Sequence, residues 1–176
     1  VHFIDGTLHV EGDRIEAGLS EFDRALKINP EAMSVQFARM SALNMKGDFN
    51  GALEAGQRYE AAIGTDVDLK LEYARARVGL KQNDEAERLL KSCLAEVADH
   101  AQCLAELADL VPAARESELD GPLGKLKNFD ASLGEALDLS IAEERKLGAR
   151  ALLTAAKRVK PASPVIAKYA PLVKAL

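Results

Sequence analysis

The sequence predicts an all-α chain built from antiparallel helix pairs. Three observations predict it. The first is composition. Hydrophobic residues make up 48% and charged residues 29% of the 176, enough to bury a core under a polar surface, while aromatics are only 5% and Trp is absent. Ala and Leu dominate, which favours helices over a sandwich or barrel that draws on β-branched and aromatic residues. The second is self-similarity. Gly12-Asp13-Arg14-Ile15-Glu16-Ala17 aligns with Gly47-Asp48-Phe49-Asn50-Gly51-Ala52 at a spacing of 35, and Ala52 leads to Ala86, in Gln82-Asn83-Asp84-Glu85-Ala86, at a spacing of 34. The third is that apolar residues recur at three and four after each of these turns, the period of an amphipathic helix.

The elements follow in order. Residues 3–10 read as a cut-short first helix with Gly6 at a small position. A β-hairpin around Asp5-Gly6 competes, but an isolated hairpin has no sheet to join. At Gly12-Asp13, Gly supplies a left-handed backbone to end one helix and Asp caps the next. The second helix of unit one buries Ile15, Gly18, Leu19, Phe22, Ala25 and Leu26, and Pro30 stops it. Unit two repeats the plan around Gly47-Asp48 and ends at Tyr59-Glu60-Ala61-Ala62-Ile63. In unit three the turn is Lys81-Gln82-Asn83-Asp84, where Asn is expected in the left-handed position and Asp as the cap. Its second helix buries Ala86, Leu89, Leu90, Cys93, Leu94 and Val97.

Beyond residue 98 the phase weakens. His100 to Val111 is a helix ended by Pro112. Residues 112–129, broken by Asp120-Gly121-Pro122, read as two short helical pieces, with Phe129 plugging the core. A helix from Asp130 or Ser132 through Glu144 buries Leu133, Leu137, Leu139 and Ile141. Its partner over 146–159 turns Leu147, Ala151, Leu152, Ala155 and Val159 inward. Ser163-Pro164 opens a last helix as N-cap and first-turn proline, and Pro171 kinks or shortens it. Such a helix seals the end of an array.

Gly12, Asp13, Ala17, Phe22, Ala25, Leu26 and Pro30 of unit one resemble the tetratricopeptide repeat (TPR). That family's pattern is a small residue and an aromatic in the first helix, Gly at the turn, then Ala, an aromatic, Ala-Leu and Pro. Unit two keeps Gly47, Asp48, Phe49, Ala52 and Leu53 but lacks the Pro. Unit three, from Tyr73 to Leu80 and on through Ala86, Leu89 and Leu90, looks like a degenerate bacterial repeat with Ala98 where Pro is usual. The resemblance implies a right-handed superhelical array of antiparallel helix pairs, a TPR-like α-solenoid. About three pairs fill residues 1–110. Irregular pairs and a C-terminal capping helix fill 111–176, continuous with the array.

Chemical motifs are absent from the sequence. There is no Gly-rich nucleotide loop, no nucleophile elbow and no Cys/His couple at catalytic spacing. The acids of Glu116, Glu118 and Asp120 read as solvated loop residues. His2, His9 and His100 form no zinc pattern, so neither a metal nor a cofactor is assigned. Cys93 and Cys103 fall in Leu/Ala-rich helical sequence and read as two reduced, buried thiols, with a redox pair or a metal pair as the alternatives; a reducing, cytoplasmic setting fits. No stretch approaches the 18 uninterrupted apolar residues that suggest a membrane span. The start at Val1 has no initiator Met, which suggests a piece of a longer chain.

Charge is uneven. Residues 1–144 hold all 28 acids and 15 of the 23 bases, a net −13, while residues 145–176 hold eight bases and no acid. The eight are Arg145, Lys146, Arg150, Lys157, Arg158, Lys160, Lys168 and Lys174. A solvated basic face near an acidic neighbour is the leading reading, a docking surface for an acidic protein the next. Nucleic acid is disfavoured because no aromatic or Gly residues interleave the bases and the chain is acidic overall.

These features point to a non-enzymatic protein–protein interaction module. Stacked first helices line a concave groove sized for a peptide or a helix of a partner protein. Phe37, Ser41 and Asn44 share one face of unit two's first helix at i, i+4 and i+7. Tyr73 and Arg77, with Arg75 nearby, lie on unit three's. These five, Phe37, Ser41, Asn44, Tyr73 and Arg77, are the expected groove residues, with core packing the competing role for Phe37 and Tyr73. Two other functions stay open: the helical-repeat part of a larger transferase-type enzyme, and a homo-oligomer in which one copy's basic end meets another's acidic front.

Overall fold

The structure, a computed structural model, describes residues 14–176. The expected short helix over 3–10 and the Gly12-Asp13 turn lie outside the described residues. What is described is helical, with no strand. The helices are α1 (Ile15–Ile28), α2 (Met33–Lys46), α3 (Phe49–Ile63), α4 (Val67–Gly79), α5 (Asn83–Glu96) and α6 (Ala101–Leu110). After a 3-10 segment, Ala113–Leu119, come α7 (Asp120–Gly124), α8 (Phe129–Ala142), α9 (Lys146–Val159) and α10 (Pro164–Ala175). They form two compact units, one ending at Ala86 and the other running Glu87–Leu176.

In the first unit each helix packs on its successor, and α2 also packs on α4. The core is a single cluster in which Phe22, Met40, Leu43, Ala52, Ala55, Leu69 and Ala76 are buried. Small residues at Ala52 and Ala55 let α3 lie close against α2. The α2–α3 turn follows the expected plan. Gly47 takes φ +86° as C-cap, and the Asp48 amide reaches back to the Leu43 carbonyl at 2.9 Å. Asp48 then caps α3 by accepting from the Gly51 amide at 3.0 Å.

The next turn has the same geometry with other residues. Lys81, not Asn83, holds the left-handed position, at φ 62°, and the Gln82 amide bonds the Arg77 carbonyl at 2.8 Å. Asn83 is already the first residue of α5. The turn is set by hydrogen-bond geometry, and a lysine tolerates the strained φ because the bond to the earlier carbonyl compensates it. Glu144 repeats this at the end of α8, with φ 55° and a 2.7 Å bond from the Arg145 amide to the Ser140 carbonyl.

The second unit is organised around α9, which packs on α6, α7, α8, α10 and the 3-10 segment. Gly148 allows that crowding: a Cβ there would lie 3.0 Å from the Asp109 amide nitrogen on α6. Leu133, Leu137, Leu152, Ala155 and Tyr169 fill the centre.

Several sequence expectations change here. Leu147 is 72% exposed rather than inward, because the turn at Glu144 starts α9 with its first turn outside the core. Val97 follows the end of α5 and is exposed. Leu139 and Ile141 are only partly covered. Phe129 does not plug the core. It is half-buried, with the Lys160 ammonium 5.0 Å above its ring. Pro171 lies inside α10, which continues past it to Ala175. Cys93 and Cys103 are not free thiols: they form a disulfide with a Cα–Cα distance of 6.7 Å, tying α5 to α6. The turn between the two helices brings both side chains into one buried site that a list of heptad-like positions does not reveal. The reducing setting inferred from free thiols loses that support, since disulfides persist in oxidising compartments.

Three of the eight bases at the basic end pair with acids of the same unit. Arg145 pairs with Glu106 at 2.9 Å and with Glu143. Arg158 grips Glu116 at 2.9 Å and Asp120 at 2.8 Å, and Lys160 reaches Asp130 at 3.3 Å. The Lys168 ammonium lies 3.1 Å from the Tyr169 hydroxyl. For Arg145, Arg158 and Lys160, the reading of a basic face beside acidic neighbours describes the structure.

Candidate binding face on α2 and α4

Phe37, Ser41 and Asn44 recur every three or four residues along α2, and Leu69, Glu72 and Ala76 along α4. Of the first set, Asn44 reaches α4. The second is the buried stripe of α4, with an acid in it: Leu69 and Ala76 are fully buried and Glu72 is 5% exposed. A carboxylate so placed needs partners. It has two. Asn44 donates Nδ2 to Glu72 Oε2 at 2.7 Å and to the Glu72 carbonyl at 2.9 Å, and Arg75 donates to Glu72 Oε1 at 2.8 Å. Asn44 is therefore held from α4 through both main chain and side chain. Its own Oδ1 is buried without a hydrogen-bond partner.

Phe37 is half-buried against Tyr59 of α3, with ring centroids 5.3 Å apart and planes tilted by 56°. The Tyr59 hydroxyl donates to Asp66 Oδ2 at 3.0 Å, and Asp66 caps α4 by accepting from the Leu69 amide at 2.8 Å. Burial and then the Asp66 carboxylate push the Tyr59 hydroxyl above its ordinary pKa, so it stays a donor. This run of contacts fixes the start of α4 relative to Phe37.

The five expected groove residues therefore divide. Phe37, Ser41 and Asn44 stay together on α2, with Ser41 half-buried between the other two. Tyr73 points toward α3, where its hydroxyl donates to Glu60 Oε2 at 3.0 Å; burial foremost, and then that bond, raise its pKa. Arg77 turns to the α4–α5 connection, donating to Gln82 at 2.6 Å and pairing with Glu85 at 3.1 Å. Sequence reasoning missed Glu72. Its signal was an acid on a Leu69–Ala76 stripe, which a buried partner has to explain. Cys93, His100 and Cys103, which sequence spacing did not group, also come together, in the second unit.

No protein-family model matches the chain, and no curated protein matches it. Solved structures do. A thermophilic TPR protein of Thermus thermophilus, TTC0263, superposes with a TM-score of 0.63 over 99% of this chain and 98% of its own, at 18% identity. The fold is that of a tetratricopeptide-repeat protein. A TPR protein of Parabacteroides merdae superposes at 0.62 and 17% identity, over 96% of this chain and 68% of its own. YrrB, described as a TPR protein with an unusual peptide-binding site, does so at 0.58 and 14% identity, over 97% of this chain and 90% of its own. Among the described residues, no helix of this chain is long and apolar enough to cross a membrane.

Proposed function

We propose that this chain is a non-enzymatic protein-interaction module that binds an extended peptide or a helix of a partner protein on the face of α2 and α4. The observation that carries this reading is the Asn44–Glu72–Arg75 cluster. A buried carboxylate orients Asn44 and Arg75 rigidly, and rigid polar groups lose little entropy when they grip a ligand. Phe37, half-exposed one turn and more away, offers an apolar contact to a side chain of the same segment. A peptide-binding site in the structurally similar YrrB supports the class of ligand. Tyr73 and Arg77 brace α4 from behind and from its C-terminal end.

The test is to pan a random-peptide library displayed on phage against the full chain, then measure the selected peptides on two variants. Ser41→Arg places bulk on the face beside the cluster, and Asn44→Ala removes the oriented amide. Both variants are expected to keep native helicity and to lose roughly tenfold or more in affinity, the effect of about 1.4 kcal/mol. Peptides that bind both variants unchanged place the site elsewhere.

A further inference from the structure

Cys93 lies in the last turn of α5, His100 caps α6, and Cys103 lies in the first turn of α6. One sulfur from each cysteine and one ring nitrogen of His100 all fall within 4.8 Å of one another. Both cysteines are fully buried and His100 is half-buried. His100 and Cys103 are three apart on one helix face, and Cys93 faces them across a short turn, so three donor groups of two kinds converge from two elements. Nothing in a helical-repeat binding module calls for that convergence. In its oxidised form the pair is a disulfide, which uses the sulfurs and leaves the imidazole beside them.

We propose that Cys93, His100 and Cys103 form a zinc site when the disulfide is reduced, so that the same three residues hold either a sulfur–sulfur bond or a metal ion. The exchange balances. A dithiol or phosphine delivers two electrons and the S–S bond breaks. Two protons from solvent complete the two thiols, and the reductant leaves oxidised. Zinc then displaces both thiol protons, and two thiolates with a neutral imidazole leave the site uncharged. Zinc–sulfur bonds of about 2.3 Å and a zinc–nitrogen bond of about 2.0–2.1 Å need donor atoms clustered on this scale. With three protein donors, a water is the usual fourth ligand of zinc. His100 Nδ1 now accepts the Cys103 amide at 3.3 Å. A metal on that nitrogen replaces the cap bond. Borderline-soft donors of this kind select zinc over magnesium or calcium.

The full chain, reduced with a phosphine and freed of it without air, is titrated with cobalt(II) as the spectroscopic probe and then with zinc. The expected result is one cobalt per chain, with thiolate charge-transfer and tetrahedral ligand-field bands, displaced by one zinc. The untreated disulfide form shows neither band. Cys103→Ser abolishes the thiolate band. His100→Ala keeps both thiols and the helical circular dichroism but weakens zinc binding by roughly tenfold or more, since loss of a ligand costs at least what loss of a ligand's support does. Four results overturn the proposal: no thiolate band in the reduced chain, zinc binding by His100→Ala at unchanged affinity, a disulfide that phosphine leaves intact in the folded chain, and a reduced chain whose lost helicity zinc does not restore.

Discussion

The two units of this TPR-fold chain solve the same packing problem differently. In the first, each helix lies on its neighbour and α2 reaches α4, so the contacts are local and the turns repeat at 34 residues, from Gly47 to Lys81. In the second, one helix, α9, touches five others, and the short 3-10 segment and α7 stand where a full helix would. What periodic packing supplies in the first unit is supplied in the second by a disulfide and by charge pairs. Lys91 and Arg115 bridge Glu87 and Glu118 at 2.6–2.9 Å, joining α5 to the 3-10 segment. Arg158 joins α9 to the 3-10 segment and α7 in the same way. An irregular element has fewer apolar contacts to hold it, so specific polar ones fix its place. The polar cluster of the first unit, Asn44–Glu72–Arg75, instead lies between helices that regular packing already holds together, with Asn44 of α2 bonded to Glu72 of α4.

The comparison breaks most visibly at the two cores. Leu152→Ala removes a fully buried side chain from α9, and Leu69→Ala one from α4. Each is expected to cost about 2–5 kcal/mol. Leu152→Ala should speed amide hydrogen exchange throughout α6, α8, α9 and α10 and spare α2 to α4, whereas Leu69→Ala should do the reverse. Equal loss of protection across both units from either variant would mean one cooperative core. A smaller effect sharpens the turn geometry. Lys81→Gly and Glu144→Gly relieve left-handed residues at helix ends and should each stabilise the chain by about 1 kcal/mol in urea denaturation. A loss of stability at either site would show that the side chain, not the backbone, sets that turn.

The smallest expected effect is the acid response of the charge pairs. Hydrogen bonds from Arg115 and then Lys91 hold the Glu118 carboxyl down at about 2, below its ordinary 4.5. Its contribution to stability is therefore complete above pH 4.5 and disappears as pH falls toward 2. Replacing it, Glu118→Gln, should flatten the acid limb of the unfolding midpoint in that window and leave neutral pH less affected, given its exposure. An unchanged acid limb would show that Glu118 is not held by Arg115 and Lys91 in solution.

The helices themselves were largely legible, since amphipathic spacing and Pro or Gly stops carry their ends. Gly47-Asp48 announced its turn because both residues have strong local preferences. Lys81 and Glu144 make the same turn without them, so only the hydrogen-bonded backbone reveals it. Leu147 and Phe129 misled because a periodic apolar residue at a helix start is buried only if the preceding turn aims that start inward. At the candidate face, α2 was readable from one helix, whereas α4 required knowing that Glu72 is buried and by whom it is held. The cysteine–histidine group was invisible for a related reason: its members converge across a turn whose geometry no spacing rule encodes.

Hydrogen–deuterium exchange of the full chain, with and without a peptide selected from the library, tests the binding face most directly. The expected result is slower exchange in α2 and α4 around Asn44 and Glu72, lost in Ser41→Arg, with the second unit unchanged. Protection confined to residues 87–176, or none at saturating peptide, would contradict a binding face on α2 and α4.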